Sequence, residues 1–298
     1  MRIGSPAVTF VYHLGAHSTD ENMLVRSLMK NGNDLNQRQV IVPRPRRYRT
    51  VLTDTIEQYR GDLMPDDKQE ELYKELLMDY PAERVIFGFE NFLCPPQKIF
   101  EYKTLYGKTS IRSTWLRYLF PENPCEFFIA IRDPATFVPA VMRSVGTRDY
   151  SGYTKGVDPR DMRWSEMIEQ LRDANPDCPI TVWCNEDTPL IWPTILREIS
   201  DADPDITLDG ELDVLRSIMS EDGFARMESY LDSHIPPNEI QRRRVFAAFL
   251  DKFALEDELE EDIDLPGWTP EFVDEITARY DDDVYEIERM SGVNFIAT

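Results

Sequence analysis

The sequence predicts an α/β fold, a three-layer sandwich with a central parallel sheet, helices on both faces and a helical C-terminal half. Two observations predict it. In residues 1–187, short β-branched or aromatic segments alternate with segments of helical period, and strands separated by helices pair in parallel. After Asp187, only helical patterns remain. Because no repeat or long low-complexity segment divides the chain, residues 1–298 are expected to form a single domain.

The strands are predicted from apolar runs that end at turn residues. These runs cover residues 8–13, 39–42, 84–89, 126–131 and 180–184. Apolar residues at helical spacing predict the intervening helices, at about 24–29, 48–59, 66–78, 113–119, from 134 onward and 164–171.

The C-terminal half is predicted to contain helices at 190–199, 211–231, 239–254 and about 269–291. The last one has the clearest ends, since Thr269 can cap it, Pro270 suits its first turn and Gly292 ends it. An acidic run at about 256–266 precedes it and is expected to be a surface linker.

Composition excludes several classes of function. The formal net charge of −22 repels nucleic acids and anionic membranes. The four cysteines contain no C-x-x-C pair and there are only three histidines, so no metal centre is expected. We find no segment of membrane-spanning length and no signal peptide, which predicts a cytoplasmic protein.

The junction between the first strand and the first helix is the first candidate site. In parallel α/β sheets, the loop amides and the helix N-terminus at such a junction bind phosphate groups. Residues 12–22 resemble the P-loop sulfotransferase family, many bacterial members of which carry H-x-G-x-H-K-T-G-T-T here. The sequence matches that pattern at His13, Gly15, His17 and Thr19.

The same loop departs from the family pattern at four positions. Ser18 stands at the family's lysine, Asp20 at its glycine, and Glu21 and Asn22 at two hydroxyl residues. The resemblance implies that Gly15, Ser18, Thr19 and Asn22 bind the 5′ end of the donor nucleotide. The alternative is that Ser18, Thr19 or Asp20 caps the helix, with Glu21 favourable in its first turn.

A second candidate element is the predicted strand 126–131 followed by Arg132-Asp133-Pro134. In the family, this arginine and a serine eight residues later hold the donor's 3′-phosphate. The resemblance therefore implies that role for Arg132. Ala140 takes the place of the serine, and Ser144, one turn further along the same face, could reach a displaced phosphate. The alternative is that Arg132 pairs with Asp133 or with a neighbouring helix.

Two residues are candidates for a general base that deprotonates an acceptor hydroxyl, namely His17 and Glu90. Glu90 ends a predicted strand at the edge of the sheet where ligands bind in such folds. The alternatives are a loop histidine hydrogen-bonded to backbone and a glutamate that caps the next turn.

Five arginines cluster between residues 38 and 49 of this acidic chain. Three of them, Arg44, Arg46 and Arg47, are candidates to bind an anionic substrate such as a sulfated or carboxylated glycan. Pairing with the protein's own acidic surface is the equal alternative.

The resemblance, which extends to the C-terminal Thr269-Pro270-Glu271 helix start, implies an enzyme. It would transfer a sulfuryl group from 3′-phosphoadenosine 5′-phosphosulfate, without a metal, to a hydroxyl on a carbohydrate or small metabolite. The expected partner is therefore an anionic or hydroxyl-bearing small molecule or glycan. The alternative is that the same fold serves as a catalytically degenerate binding or partner protein, which the altered loop favours.

Overall fold

A computed structural model describes residues 7–78, 80–203, 206–255, 263 and 265–298. The predicted acidic linker at about 256–266 therefore lies mostly outside the described residues. None of the described helices is both long enough and apolar enough to cross a bilayer.

The core of the fold is a six-stranded sheet in which every pair of neighbouring strands is parallel. Its order along the sheet is β2-β3-β1-β4-β5-β6. The strands are β1 Thr9–His13, β2 Val40–Ile41, β3 Arg84–Gly88, β4 Cys125–Ile131, β5 Ile180–Cys184 and β6 Val293–Phe295. The predicted parallel sheet is thus confirmed, with ends that differ by one or two residues.

The helices lie on both faces of the sheet. They are α1 Met23–Lys30, α2 Gly32–Gln37, α3 Pro45–Tyr59, α4 Asp66–Leu77, α5 Thr109–Arg117, α6 Pro134–Val145, α7 Tyr150–Thr154, α8 Trp164–Ala174, α9 Thr188–Ser200, α10 Asp213–Ile218, α11 Glu221–Ser233, α12 Glu239–Phe253 and α13 Pro270–Glu288. Apolar residues of α1, α2 and α9 pack on one face of the sheet, and those of α3–α6, α8 and α13 pack on the other. This is the predicted three-layer sandwich.

Two predictions for the C-terminal half are wrong. Residues 293–295 after the last helix form β6, which pairs with β5 at the edge of the sheet. A strand of three residues is too short to show a period in the sequence. The predicted helix over 211–231 is two helices, because Met219 forms a bridge with Ala254 and the Ser220 hydroxyl caps α11 by accepting from the Gly223 N–H.

Helices α10–α12 form a smaller apolar cluster beside the sandwich, and a buried charge network joins it to α9. The Glu211 side chain is only 3% exposed. Its carboxylate accepts a hydrogen bond from Arg197 Nη2 at 3.1 Å and another from Arg242. A buried carboxylate held by two arginines is costly to break, because removing it leaves uncompensated positive charge.

The strand order reverses at β1, since β3 and β2 lie on one side of it and β4, β5 and β6 on the other. In open parallel sheets, ligands bind outside the carboxyl ends of the strands at this reversal. The loop that follows β1 therefore marks the place to look for a site.

Candidate functional site

The loop Gly15–Asn22 joins β1 to α1, as predicted, although α1 begins at Met23 rather than near Asp20. Its start continues the pairing with β4, because the Ala130 N–H donates to the Gly15 carbonyl at 2.7 Å and the Ala16 N–H donates to the Ala130 carbonyl at 2.8 Å. Gly15 has a φ of +106°, and a Cβ there would lie 3.3 Å from the Cβ of Glu90. The backbone conformation and the close approach both favour glycine.

The N-terminus of α1 is capped by Asp20. Its Oδ1 accepts from the Asn22 N–H and its Oδ2 from the Leu24 N–H, both at 3.1 Å. The alternative interpretation of this loop as a helix cap is thus confirmed for Asp20. An incoming anion would meet a carboxylate at the helix end where such loops usually hold a phosphate.

Other side chains of the loop also bond within the protein. The Thr19 hydroxyl donates to the Ala16 carbonyl at 2.7 Å, and Asn22 accepts from the Arg49 guanidinium. Arg49, from α3, also donates to the Gly88 carbonyl at 2.8 Å. The Arg49 contact was missed by sequence reasoning, although the residue belongs to the arginine cluster.

Arg132 follows β4 directly and lies beside the loop, as predicted. It is 7% exposed, and its guanidinium donates to the Ser18 carbonyl and, through Nε, to Thr136 Oγ1 at 3.0 Å. Its carbonyl accepts from the Trp164 indole N–H at 2.8 Å. The predicted juxtaposition of Arg132 and the loop is therefore confirmed. Ser18 offers Arg132 a carbonyl oxygen and adds no positive charge to the loop.

A cleft of about 550 Å³ opens at the carboxyl ends of β1, β4 and β5. That volume falls in the range of small-molecule sites. Among the described residues, its lining includes the predicted site residues Ser18, Thr19 and Arg132, together with Asp20 and Glu21. The structure therefore brings half of the predicted donor site together in one cleft.

Two further residues of the cleft were not found from the sequence. Glu186 and Thr188 follow β5 and line the same cleft. The Thr188 hydroxyl is buried and has no hydrogen-bond partner in the described part of the chain. A signal was present, since both residues follow a predicted strand whose end reaches the ligand-binding edge.

His17 is buried on the β3 side of the loop, outside the lining of the cleft. Its Nε2 lies 2.9 Å from Asn91 Oδ1 and its Nδ1 lies 2.7 Å from the Tyr106 hydroxyl. Because an amide oxygen can only accept, Nε2 carries the proton and Nδ1 accepts from Tyr106. Burial lowers the pKa of His17 to about 4. The geometry favours a structural histidine, held by side chains rather than by backbone, and its role as a base stays a prediction.

Glu90 begins a short 3-10 helix, Glu90–Phe92, directly after Phe89 and β3. Desolvation of its carboxyl and then the nearby charge of Asp20 raise its pKa, while the Ser18 N–H and the Arg49 guanidinium oppose that shift. A raised pKa suits a general base. Glu90 does not line the cleft, so its catalytic role also stays a prediction.

Ser144 lies in the last turn of α6, about 15 Å along the helix axis from Pro134. Its hydroxyl is exposed and donates to the Val141 carbonyl at 2.8 Å. Ser144 does not line the cleft, and Ala140 is buried. The geometry therefore gives no support to a phosphate held jointly by Arg132 and Ser144.

The arginines of the cluster between residues 38 and 49 have different surroundings. Arg38 pairs with Asp203 at 3.2 Å. In contrast, Arg44, Arg46 and Arg47 line a second cavity at the end of β2, and none of them makes an ion pair with any residue that the structure describes. Of these four arginines, only Arg38 therefore pairs with an acidic residue in the part of the chain that the structure describes.

The C-terminal helix supports the cleft from one side. The Thr277 hydroxyl donates to Asp133 Oδ2 at 2.6 Å, and the Tyr280 hydroxyl donates to Glu186 Oε2 at 3.1 Å. Glu186 in turn accepts from the Asp133 N–H at 2.8 Å. Helix α13 thus joins the segment after β4 to the segment after β5.

No protein-family model matches this chain, and no curated protein matches its sequence. Among solved structures, the sulfotransferase domain of the olefin synthase of Synechococcus PCC 7002 is similar over 82% of this chain and 95% of that domain. The sequence identity is 10% and the TM-score is 0.31. Because this similarity is low, the α/β assignment rests on the sheet itself. No group of His, Cys, Asp or Glu that could hold a metal occurs among the described residues.

Proposed function

We propose that this protein is a sulfotransferase-like binding protein whose cleft takes a small hydroxyl-bearing ligand, and that its loop holds 3′-phosphoadenosine 5′-phosphosulfate weakly or not at all. The observation that carries the proposal is the Asp20 carboxylate, which accepts hydrogen bonds from the Asn22 and Leu24 N–H groups at the start of α1. The strand order, the loop motif and Arg132 at the end of β4 support the sulfotransferase-like part of it.

The charges of the cleft favour the loss of donor binding. Its lining contains the cations Arg26 and Arg132 but the carboxylates of Asp20, Glu21 and Glu186. The donor is itself a multiply charged anion, and the described lining of the cleft has no excess of positive charge to attract it. Because Ser18 replaces the family's lysine, no side chain at that position offsets the repulsion.

Sulfuryl transfer is the second candidate function, and the raised pKa of Glu90 favours it. In that reaction, the acceptor oxygen would form a bond to sulfur while the bond from sulfur to the donor's phosphate oxygen breaks. The proton of the acceptor hydroxyl would pass to the Glu90 carboxylate. This role requires an acceptor to reach Glu90 on the β3 side of the loop, away from the cleft lining.

Calorimetric titration with 3′-phosphoadenosine 5′-phosphate, the stable product nucleotide, separates the two candidates. The wild-type protein is expected to bind it weakly or not at all. The triple variant Ser18→Lys/Asp20→Gly/Glu21→Thr is expected to bind at least about tenfold more tightly, since one charge-assisted hydrogen bond contributes about 1.5–3 kcal/mol. Circular dichroism would verify that the variant is folded.

The matched control adds Arg132→Ala to the triple variant and should reduce the gain, because Arg132 is a cation of the cleft that directly contacts the loop. Tight wild-type binding of 3′-phosphoadenosine 5′-phosphate would refute the proposal and favour the transferase. A folded triple variant that gains no affinity would show that the loop is not the cause.

A further inference from the structure

The cavity at the carboxyl end of β2 has a strongly charged wall in an otherwise acidic protein. Its volume is about 680 Å³, and Arg44, Arg46 and Arg47 line it. Arg44 and Arg46 are exposed and Arg47 is half-buried. No side-chain hydrogen bond or ion pair ties any of the three guanidinium groups to another described residue. Three cations without a described partner in one cavity are unusual in a chain with a net charge of −22.

The backbone adds positive charge to the same wall. Helix α3 begins here, with Arg44 as its N-cap and Pro45 at its first turn, and no side chain caps it. The N-terminus of a helix carries a partial positive charge and exposed N–H groups, which favour an anion. The arrangement contrasts with α1, where the Asp20 carboxylate accepts a hydrogen bond from the Leu24 N–H in the first turn.

Most of the other described residues that line the cavity are apolar. They include Leu76, Met78 and Tyr80, at and after the end of α4. Met78 is 51% exposed and Tyr80 is 53% exposed. Exposed apolar side chains and a cluster of cations in one cavity suit a ligand with an apolar ring body and negative groups.

We propose that this cavity binds a small, ring-bearing organic molecule that carries two or more sulfate, carboxylate or phosphate groups, such as an anionic sugar. Arginine matches such groups with two parallel hydrogen bonds, and three guanidinium groups suit more than one of them. A concave cavity of this size suits a small molecule better than a macromolecular surface. The inference goes beyond the proposed function, since β2 lies two strands, about 10 Å, from β1 on the side away from the cleft.

Isothermal titration with a trisulfated disaccharide tests the proposal, with the unsulfated disaccharide and inorganic sulfate as comparison ligands. The wild-type protein is expected to bind the trisulfated sugar at micromolar to millimolar concentration and the unsulfated sugar at least about tenfold more weakly. Binding should weaken with added salt, because exposed charges are screened.

The double variant Arg46→Ala/Arg47→Ala is expected to lower the affinity at least about tenfold. The matched control is Arg148→Ala/Arg244→Ala, which removes the same charge from exposed positions outside the cavity and should change the affinity less than about twofold. Tyr80→Ala should weaken the sugar but not inorganic sulfate, whereas Tyr118→Ala, its partly exposed counterpart, should affect neither.

Asp20→Asn, in the loop after β1, should leave this binding unchanged, which separates the proposal from that for the cleft. The proposal is overturned if the wild type binds none of the sulfated probes at millimolar concentration. Equal affinity for the unsulfated disaccharide, or equal losses in the two double variants, would overturn it as well.

Discussion

We expect the Asp20 carboxylate to stabilise the folded protein and to lower its affinity for anions. Asp20→Asn keeps one of the two acceptor atoms that cap α1, and Asp20→Ala keeps none. We therefore expect the free energy of unfolding to fall by about 1 kcal/mol for the asparagine and by about 2 kcal/mol for the alanine. Urea unfolding monitored by circular dichroism measures both values.

Both substitutions remove the same negative charge, so their effect on anion binding should be equal. Two unit charges about 5 Å apart repel by about 1 kcal/mol at an effective dielectric constant between about 40 and 80. We expect the affinity for 3′-phosphoadenosine 5′-phosphate to rise about fivefold in each variant at low salt. The reasoning would be refuted by an alanine variant as stable as the wild type, or by a gain in affinity that differs between the variants.

Two further predictions concern buried charges. Burial lowers the pKa of His17 from 6.5 to about 4. As the pH falls, the unfolded chain therefore binds this proton before the folded protein does. The free energy of unfolding should fall by about 3 kcal/mol from pH 6.5 to pH 4. Urea unfolding across this range should show a smaller fall in His17→Gln, and an identical fall would contradict the assignment. Glu211→Gln should cost about 3 kcal/mol, because Arg197 and Arg242 lose their buried partner, while the exposed control Glu228→Gln should cost less than about 1 kcal/mol. Equal costs in these two variants would refute the buried network.

The fold could be predicted because strands covered on both faces leave continuous apolar runs in the sequence. Residues 126–131 and 180–184 are such runs, and they match β4 and β5 to within one residue. The position of Arg132 at the carboxyl end of a strand could be predicted because Arg132 directly follows one of these runs. In contrast, β6 has three partly or fully exposed residues at the sheet edge and no pattern of its own.

The contacts of the site could not be predicted, because they join residues that are far apart in the sequence. The partners of His17, Tyr106 and Asn91, lie 89 and 74 positions away. Whether an arginine such as Arg46 finds a partner also depends on which distant carboxylates the fold brings near it. Ser144 lies in the helix expected after Pro134, but its distance from the loop cannot be derived from the sequence.

The hydrogen bonds from α13 to the segments after β4 and β5 have a consequence for the order of synthesis. Thr277 and Tyr280 are translated about ninety residues or more after the Asp133 and Glu186 that they hold. A ribosome-bound chain that lacks them contains the residues of β1, β4 and β5 but not the side chains of α13 that join the segments after β4 and β5. Ligand capture by this cleft should therefore begin only after α13 has been synthesised, however early the strands themselves pair.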